Sequence, residues 1–136
     1  MSKLLPLCFL ALLTAASCSK IEKEKRYQGL TTATEGYGNA LRWGYYDSAY
    51  SYVHPSLRQE DAYPKALDNV RVTTYEVIQP PAIYSEDQEQ VEQRVQIEYV
   101  LRDEQVVHKL SDLQDWRYDP ETKTWWLYSG LPKFLP

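Results

Sequence analysis

The hydrophobic period of this chain changes near Pro55, and that change limits the folds open to it. Before Pro55, Tyr37, Leu41, Tyr45 and Tyr52 recur at helical spacing, with Ala40, Gly44 and Ser48 beside them. Trp43, Tyr46, Tyr50 and Val53 form a second stripe, and a helix apolar nearly all round is buried on more than one side. Thr31-Thr32-Ala33-Thr34-Glu35 supplies N-cap residues with an acid close behind. Gly44 inside such a run costs about 1 kcal/mol relative to Ala and marks a kink or a break between two helices. Pro55 ends the run, because it disfavours helical geometry at His54. Residues 56–68 are mixed in character, with a short helix expected near Gln59–Tyr63.

Beyond that the period is two. Residues 70–78 are rich in β-branched side chains and are expected to stop at Pro80-Pro81. Val91, Val95, Ile97, Tyr99 and Leu101 alternate with Glu92, Arg94, Gln96 and Glu98, the pattern of a strand with one buried and one solvated face. Arg102-Asp103-Glu104-Gln105 reads as a tight hairpin, Val106 to Tyr118 as a third strand, and Lys123 to Ser129 as a fourth. A helix followed by antiparallel strands predicts an α+β fold. Its N-terminal kinked helix would pack on a curved antiparallel sheet of about four strands.

The N-terminus carries a separate message. Met1-Ser2-Lys3 is a short basic start, residues 4–14 are an apolar run containing Pro6, and Ala15-Ala16-Ser17-Cys18 ends in small residues and a cysteine. The run is too short to span a bilayer, which needs roughly 20 residues, and has the layout of a secretory signal peptide. With its terminal cysteine it resembles the lipobox of a bacterial lipoprotein. That resemblance implies cleavage before Cys18 and a diacylglyceryl group on its thiol. Ser19 in place of Asp implies the outer membrane, periplasmic leaflet. The alternative is an ordinary secretory signal cut near Ala16 or Ser17. The chain has 2 cysteines, and Cys8 would leave with the leader. The remaining thiol has no partner for an internal disulfide. Residues 1–17 are thus expected as signal, 18–30 as a polar tether of mixed charge, and 31–136 as one domain.

The stretch Ala40-Leu41-Arg42-Trp43-Gly44-Tyr45-Tyr46 and the closing strands Trp116-Arg117-Tyr118-Asp119 and Lys123-Thr124-Trp125-Trp126-Leu127 resemble the nuclear transport factor 2-like, or SnoaL-like, superfamily over residues 31–134. The resemblance implies a cystatin-like cone with a pocket between helix and sheet. Its members include enzymes, binding modules and parts of secretion machines, so fold alone does not assign function.

Candidate site residues follow from the third strand. Val106, His108, Leu110, Asp112, Gln114, Trp116 and Tyr118 share one face if that strand is regular. His108, Asp112, Gln114 and Trp116, with Tyr46 and Tyr50 from the helix, are the expected pocket lining. Tyr46, Tyr50 and Trp116 are expected to meet across the core. His108 and Asp112 lie about 13 Å apart along a strand and cannot share a proton directly. A catalytic dyad would need a carboxylate from elsewhere, such as Asp47, and no catalytic set is assigned. His54 is expected to cap the C-terminus of its helix.

No metal site or cofactor is expected, since 2 separated histidines and scattered acids make no ligand cluster. With 15 Lys+Arg against 19 Asp+Glu and no basic stripe, nucleic acid is not an expected partner. The expected partners are the membrane, through lipid, and a small apolar ligand or an envelope protein. Val107, Leu113 and Trp125 or Trp126 would leave apolar groups on the sheet's outer face, where a homodimer could form. The resulting expectation is a non-catalytic binding or interaction module. The alternatives are a small-molecule isomerase or hydratase and a structural subunit of an envelope assembly.

Overall fold

The computed structural model describes residues 6–59 and 63–134, with side chains described from Cys18 onward. The expected leader's basic start, residues 1–3, and the first two residues of its apolar run lie outside the described residues, as do residues 60–62 of the expected short helix. One helix, α1 (Pro6–Trp43), leads into a short α2 (Tyr46–Tyr50). The 3-10 turns Pro55–Leu57 and Lys65–Asn69 follow. The chain then forms β1 (Val70–Ile83), β2 (Gln90–Leu101), β3 (Val107–Asp119) and β4 (Thr124–Leu127). The four strands pair antiparallel in the order β1-β2-β3-β4, an open curved meander with α1 packed on its inner face. The α+β expectation is met.

The helix does not start at Thr31. Thr31 and Thr32 turn their hydroxyls back to the carbonyls of Tyr27 and Gln28, at 3.2 and 3.0 Å, and so support a helix already running. Residues 18–25 are helical with every side chain exposed. Glu22 and Arg26 stand at i,i+4 spacing in the favourable order. The segment expected as a tether is therefore a stem, and its upper end belongs to the domain. Arg26 lies over the Tyr118 ring at 4.5 Å, its carbonyl accepts from Trp125 Nε1 at 2.9 Å, and Leu30 is buried.

Of the kink or break expected at Gly44, the break between two helices is what forms. Gly44 takes φ +74°, and the N–H groups of Gly44 and Tyr45 bond the carbonyls of Leu41 and Ala40. That is the Schellman arrangement that ends helices at glycine. Trp43 and Tyr45, expected in the buried stripes, flank this stop and are exposed. After α2 the chain runs alongside β4. Leu127 N–H donates to Tyr52 O, and His54 N–H donates to Leu127 O.

Strand β1 continues through Pro80-Pro81. It is an edge strand, and both prolines fall in the register shift between Gln79 and Ala82, where neither has a ladder partner on β2. On β2, Val91, Gln93, Val95, Ile97, Tyr99 and Leu101 point inward and are buried. Against them packs a triangle of rings. Tyr37, Tyr52 and Trp116 meet edge to face at centroid distances of 5.6–6.1 Å.

Two α1 glycines admit rings from neighbouring elements. A β-carbon on Gly36 would strike the Tyr52 hydroxyl, and one on Gly38 would sit 2.6 Å from Tyr75 Cε1. At Gly29 the nearest atom, Trp125 Cδ1, is 3.6 Å away, an ordinary contact. Gly29→Ala should gain about 0.5–1 kcal/mol from helix propensity. Gly38→Ala should lose about 1–3 kcal/mol, because overlap with the Tyr75 ring outweighs the same gain. Urea denaturation of the two variants checks this, and equal effects of one sign would contradict the packing.

Candidate functional site

The inner face of β3 is the one its alternation predicts. His108, Leu110 and Asp112 are half-buried and Gln114 and Trp116 buried, while Val107, Lys109, Ser111 and Leu113 between them are exposed. Gln114, 0% exposed, organises this face. Its Oε1 accepts from Trp116 Nε1 and from Gln93 Nε2, each at 3.0 Å. Its Nε2 donates to Tyr75 Oη at 2.9 Å and to Asp112 Oδ2 at 3.3 Å. The indole can only donate, and this fixes which way the carboxamide faces. Removing a partner from such a buried group costs about 1–3 kcal/mol.

Burial governs titration here. It pushes the Asp112 carboxyl up to about 6, against the opposing hydrogen bond from Gln114. It pushes Tyr75 up to about 12, opposed by its bond to Gln114. It raises Tyr37 well above the ordinary phenol range, with the Asp112 charge adding to the shift. The Tyr37 hydroxyl is buried and has no hydrogen-bond partner among the described residues.

The other expected lining residues lie apart from this network. Tyr46 donates to Val70 O at 2.7 Å, and burial pushes its hydroxyl up to about 12. Tyr50 lines a cleft of about 1030 Å³ between the 3-10 turns and the C-terminal residues Leu131–Phe134. Neither stacks on Trp116, whose ring partners are Tyr37 and Tyr52. His108 stacks on Tyr99 at 5.2 Å and reaches Glu104, not Asp47, at 3.3 Å. Leu110 separates it from Asp112. His54 caps no α-helix. Its Nδ1 accepts from Ser56 N–H at the start of a 3-10 turn, and its ring stacks on Tyr128 at 4.8 Å.

Tyr37, Tyr75 and Gln93 belong to the site and were not expected there. Gln93 carried a signal, a polar residue at an inward position of an otherwise apolar alternation. Tyr75 did not, because the register shift between Val72 and Thr74 sets its facing.

A cleft of about 470 Å³ opens between α1 and β1 and reaches the network from outside. Gln93 and Tyr75 line it on the sheet side, with Val77 and Pro81 as its apolar part. Glu35, Asn39 and Arg42 line it on the helix side. A polar floor with apolar walls is the usual character of a small-molecule site. On the outer face, Val107 and Leu113 are exposed, and the ladder beside them carries polar pairs such as Lys109–Glu98 at 3.2 Å. Trp125 turns inward and is buried, while Trp126 is half-buried beside His54. Among the described residues no group of three or more His, Cys, Asp or Glu is placed to hold a metal ion. No protein-family model matches this chain, and a search of curated proteins finds no match.

The raised Asp112 has a consequence for stability. Between about pH 4 and 6 the native state keeps a proton that the unfolded chain has released, so stability should fall as pH rises through that window and level off above it. The change is on the order of 2 kcal/mol. Asp112→Asn should flatten this part of the pH–stability curve and melt higher than the parent at pH 7. An unchanged slope, measured by urea denaturation at several pH values, would contradict the assignment.

Proposed function

We propose that this chain is a lipid-anchored cell-envelope protein, held in the periplasmic leaflet of the outer membrane through Cys18, whose α+β domain is a non-catalytic binding module. The observation that carries the anchor is Cys18 itself, exposed on α1 at the end of an apolar leader whose last residues are small. Among the described residues no helix is long and apolar enough to cross a membrane. Several acyl chains on one cysteine would give durable attachment where one gives only reversible binding. The resemblance to the nuclear transport factor 2-like cone supports a ligand seated between helix and sheet, and the α1–β1 cleft is where the domain offers it a polar floor.

The second reading, an isomerase or hydratase, is favoured by the half-buried carboxyl of Asp112, whose titration burial raises. Against it, that carboxyl is engaged by Gln114, and His108 is engaged by Glu104. A general base must come within about 3 Å of the proton it takes. The third, a structural subunit of an envelope assembly, draws on the exposed Val107 and Leu113.

Replacing Cys18 by Ser should abolish metabolic labelling with palmitate and leave an unprocessed precursor. Normal labelling and membrane retention of that variant would refute the anchor. On the binding reading, His108→Ala should leave affinity for any ligand found by thermal-shift screening within about tenfold, under about 1.4 kcal/mol. A turnover reaction reduced a hundredfold by His108→Ala or Asp112→Asn would favour the enzyme instead.

A further inference from the structure

Strand β1 is the open edge of the sheet. At the other edge β4 is flanked by the chain after α2, whose Tyr52 and His54 bond Leu127, whereas no strand lies beyond β1. Among the described residues, no hydrogen bond other than those to β2 reaches the backbone of residues 71–79. The N–H and C=O groups of that stretch that point away from β2 are a template for another strand. Pro80 and Pro81 carry no N–H, so the usable edge ends at Gln79.

Helix α1 runs along this edge in the opposite sense. Gly38 stands against the Tyr75 ring, and Tyr27 shares two clefts with Pro81. Helix and edge strand therefore wall the α1–β1 cleft along its length. Val77 pairs with Val95 and shares its inward face, yet Val95 is 0% exposed and Val77 is 45% exposed. The helix leaves the inner face of the edge strand uncovered there, and Val77 lines the cleft. On the helix wall, Glu35 and Arg42 make no hydrogen bond or ion pair among the described residues. They are opposite in charge and about 10 Å apart along the axis.

We infer that this cleft docks an extended peptide segment of another protein, which adds to β1 as a fifth, antiparallel strand. In that mode main-chain bonds to the open edge give affinity, and pockets for alternate side chains give selectivity. An antiparallel segment would run from the Pro81 end towards the Tyr75 end. The stem of a basic side chain would lie on Val77 with its charge at Glu35, an apolar side chain would meet Tyr75, and an acid would reach Arg42. Residues one, three and five of a strand face one way and span about 13 Å, which long side chains match to the helix spacing. The favoured segment therefore reads basic, any, apolar, any, acidic. A second copy fits less well, because two β1 edges would bring their own register shifts together. This peptide site rests on the binding reading above and uses nothing of the lipid anchor.

The test titrates the full chain with acetyl-Lys-Thr-Val-Thr-Glu-amide and follows amide chemical shifts. Saturable shifts over residues 71–79 are expected. Of two versions N-methylated on alternate residues, one should lose binding and the other keep it, since only every second N–H faces β1. The exposed pair Glu35→Lys with Arg42→Glu should reverse the preference, binding the peptide with Lys and Glu exchanged about tenfold better than the original. No saturable binding, equal binding of both methylated versions, or an unchanged preference in the double variant would each overturn the inference. So would a parent dimer in sedimentation that the double variant dissolves, which would give the edge to a second copy. A small molecule that shifts the cleft residues where the peptide does not would remove the peptide and keep the binding reading. No ligand of either kind would remove both.

Discussion

The carboxamide of Gln114 makes four hydrogen bonds in a place where none can be replaced by solvent, and much of the interior is arranged to permit them. Oxygen and nitrogen cannot exchange places, because Trp116 offers a donor and nothing else. That fixes the side facing Gln93, hence the pairing of Gln93 with Gln114 across β2 and β3. A slip of one residue would bring Gln93 to the outer face and strand the amide in an apolar core. The reach of Tyr75 across β2 depends in turn on the missing side chain of Gly38. One buried amide thus ties helix composition, ring placement and strand register together. A buried amide with all four of its hydrogen bonds made fixes one arrangement where an apolar core would tolerate several.

The alternating segments were the legible part of the sequence. Period two on β2 and β3 gave the facing of nearly every residue there, because a strand with one buried face has a single acceptable register. The places where sequence reasoning failed share a physical cause, which is that a distant partner decides the outcome. Thr31 reads as a cap until the carbonyl of Tyr27 is found to hold its hydroxyl. Pro80-Pro81 reads as a stop until β1 proves to be an edge strand whose register shifts at the prolines, so that neither is asked for a ladder bond. His54 reads as a helix cap until the chain after α2 turns out to join the edge of β4. Half of the site was visible in Asp112, Gln114 and Trp116. Tyr37 and Tyr75 were not, since a core tyrosine and a site tyrosine look alike in sequence.

The stem changes what the proposed anchor would mean. A flexible tether lets a domain roam above a bilayer, whereas a helix fixes its height. Eight residues separate Cys18 from Arg26, about 12 Å at 1.5 Å per residue. Arg26 then joins stem to sheet through the ring of Tyr118, the indole of Trp125 and an ion pair with Glu89 at 4.0 Å. On the proposed anchoring, the 84–89 and 119–123 loops would face the lipid and the 3-10 turns would face away.

Height and site are then linked through one helix. The α1–β1 cleft is lined from Tyr27 to Arg42, which spans about 22 Å of the same helix that carries Cys18. Its lower end stands about 14 Å from that cysteine along the axis. A ligand in the cleft would lie within reach of the membrane surface without touching it, at a distance set by helix geometry and not by linker length. Tyr37 sits on the inner side of this span, so the aromatic triangle it forms with Tyr52 and Trp116 is held by the element that would also set the domain's orientation. Breaking the stem with a flexible insertion would leave the polar network intact while freeing the cleft from any fixed relation to the membrane, because none of the network's hydrogen bonds reaches below Arg26.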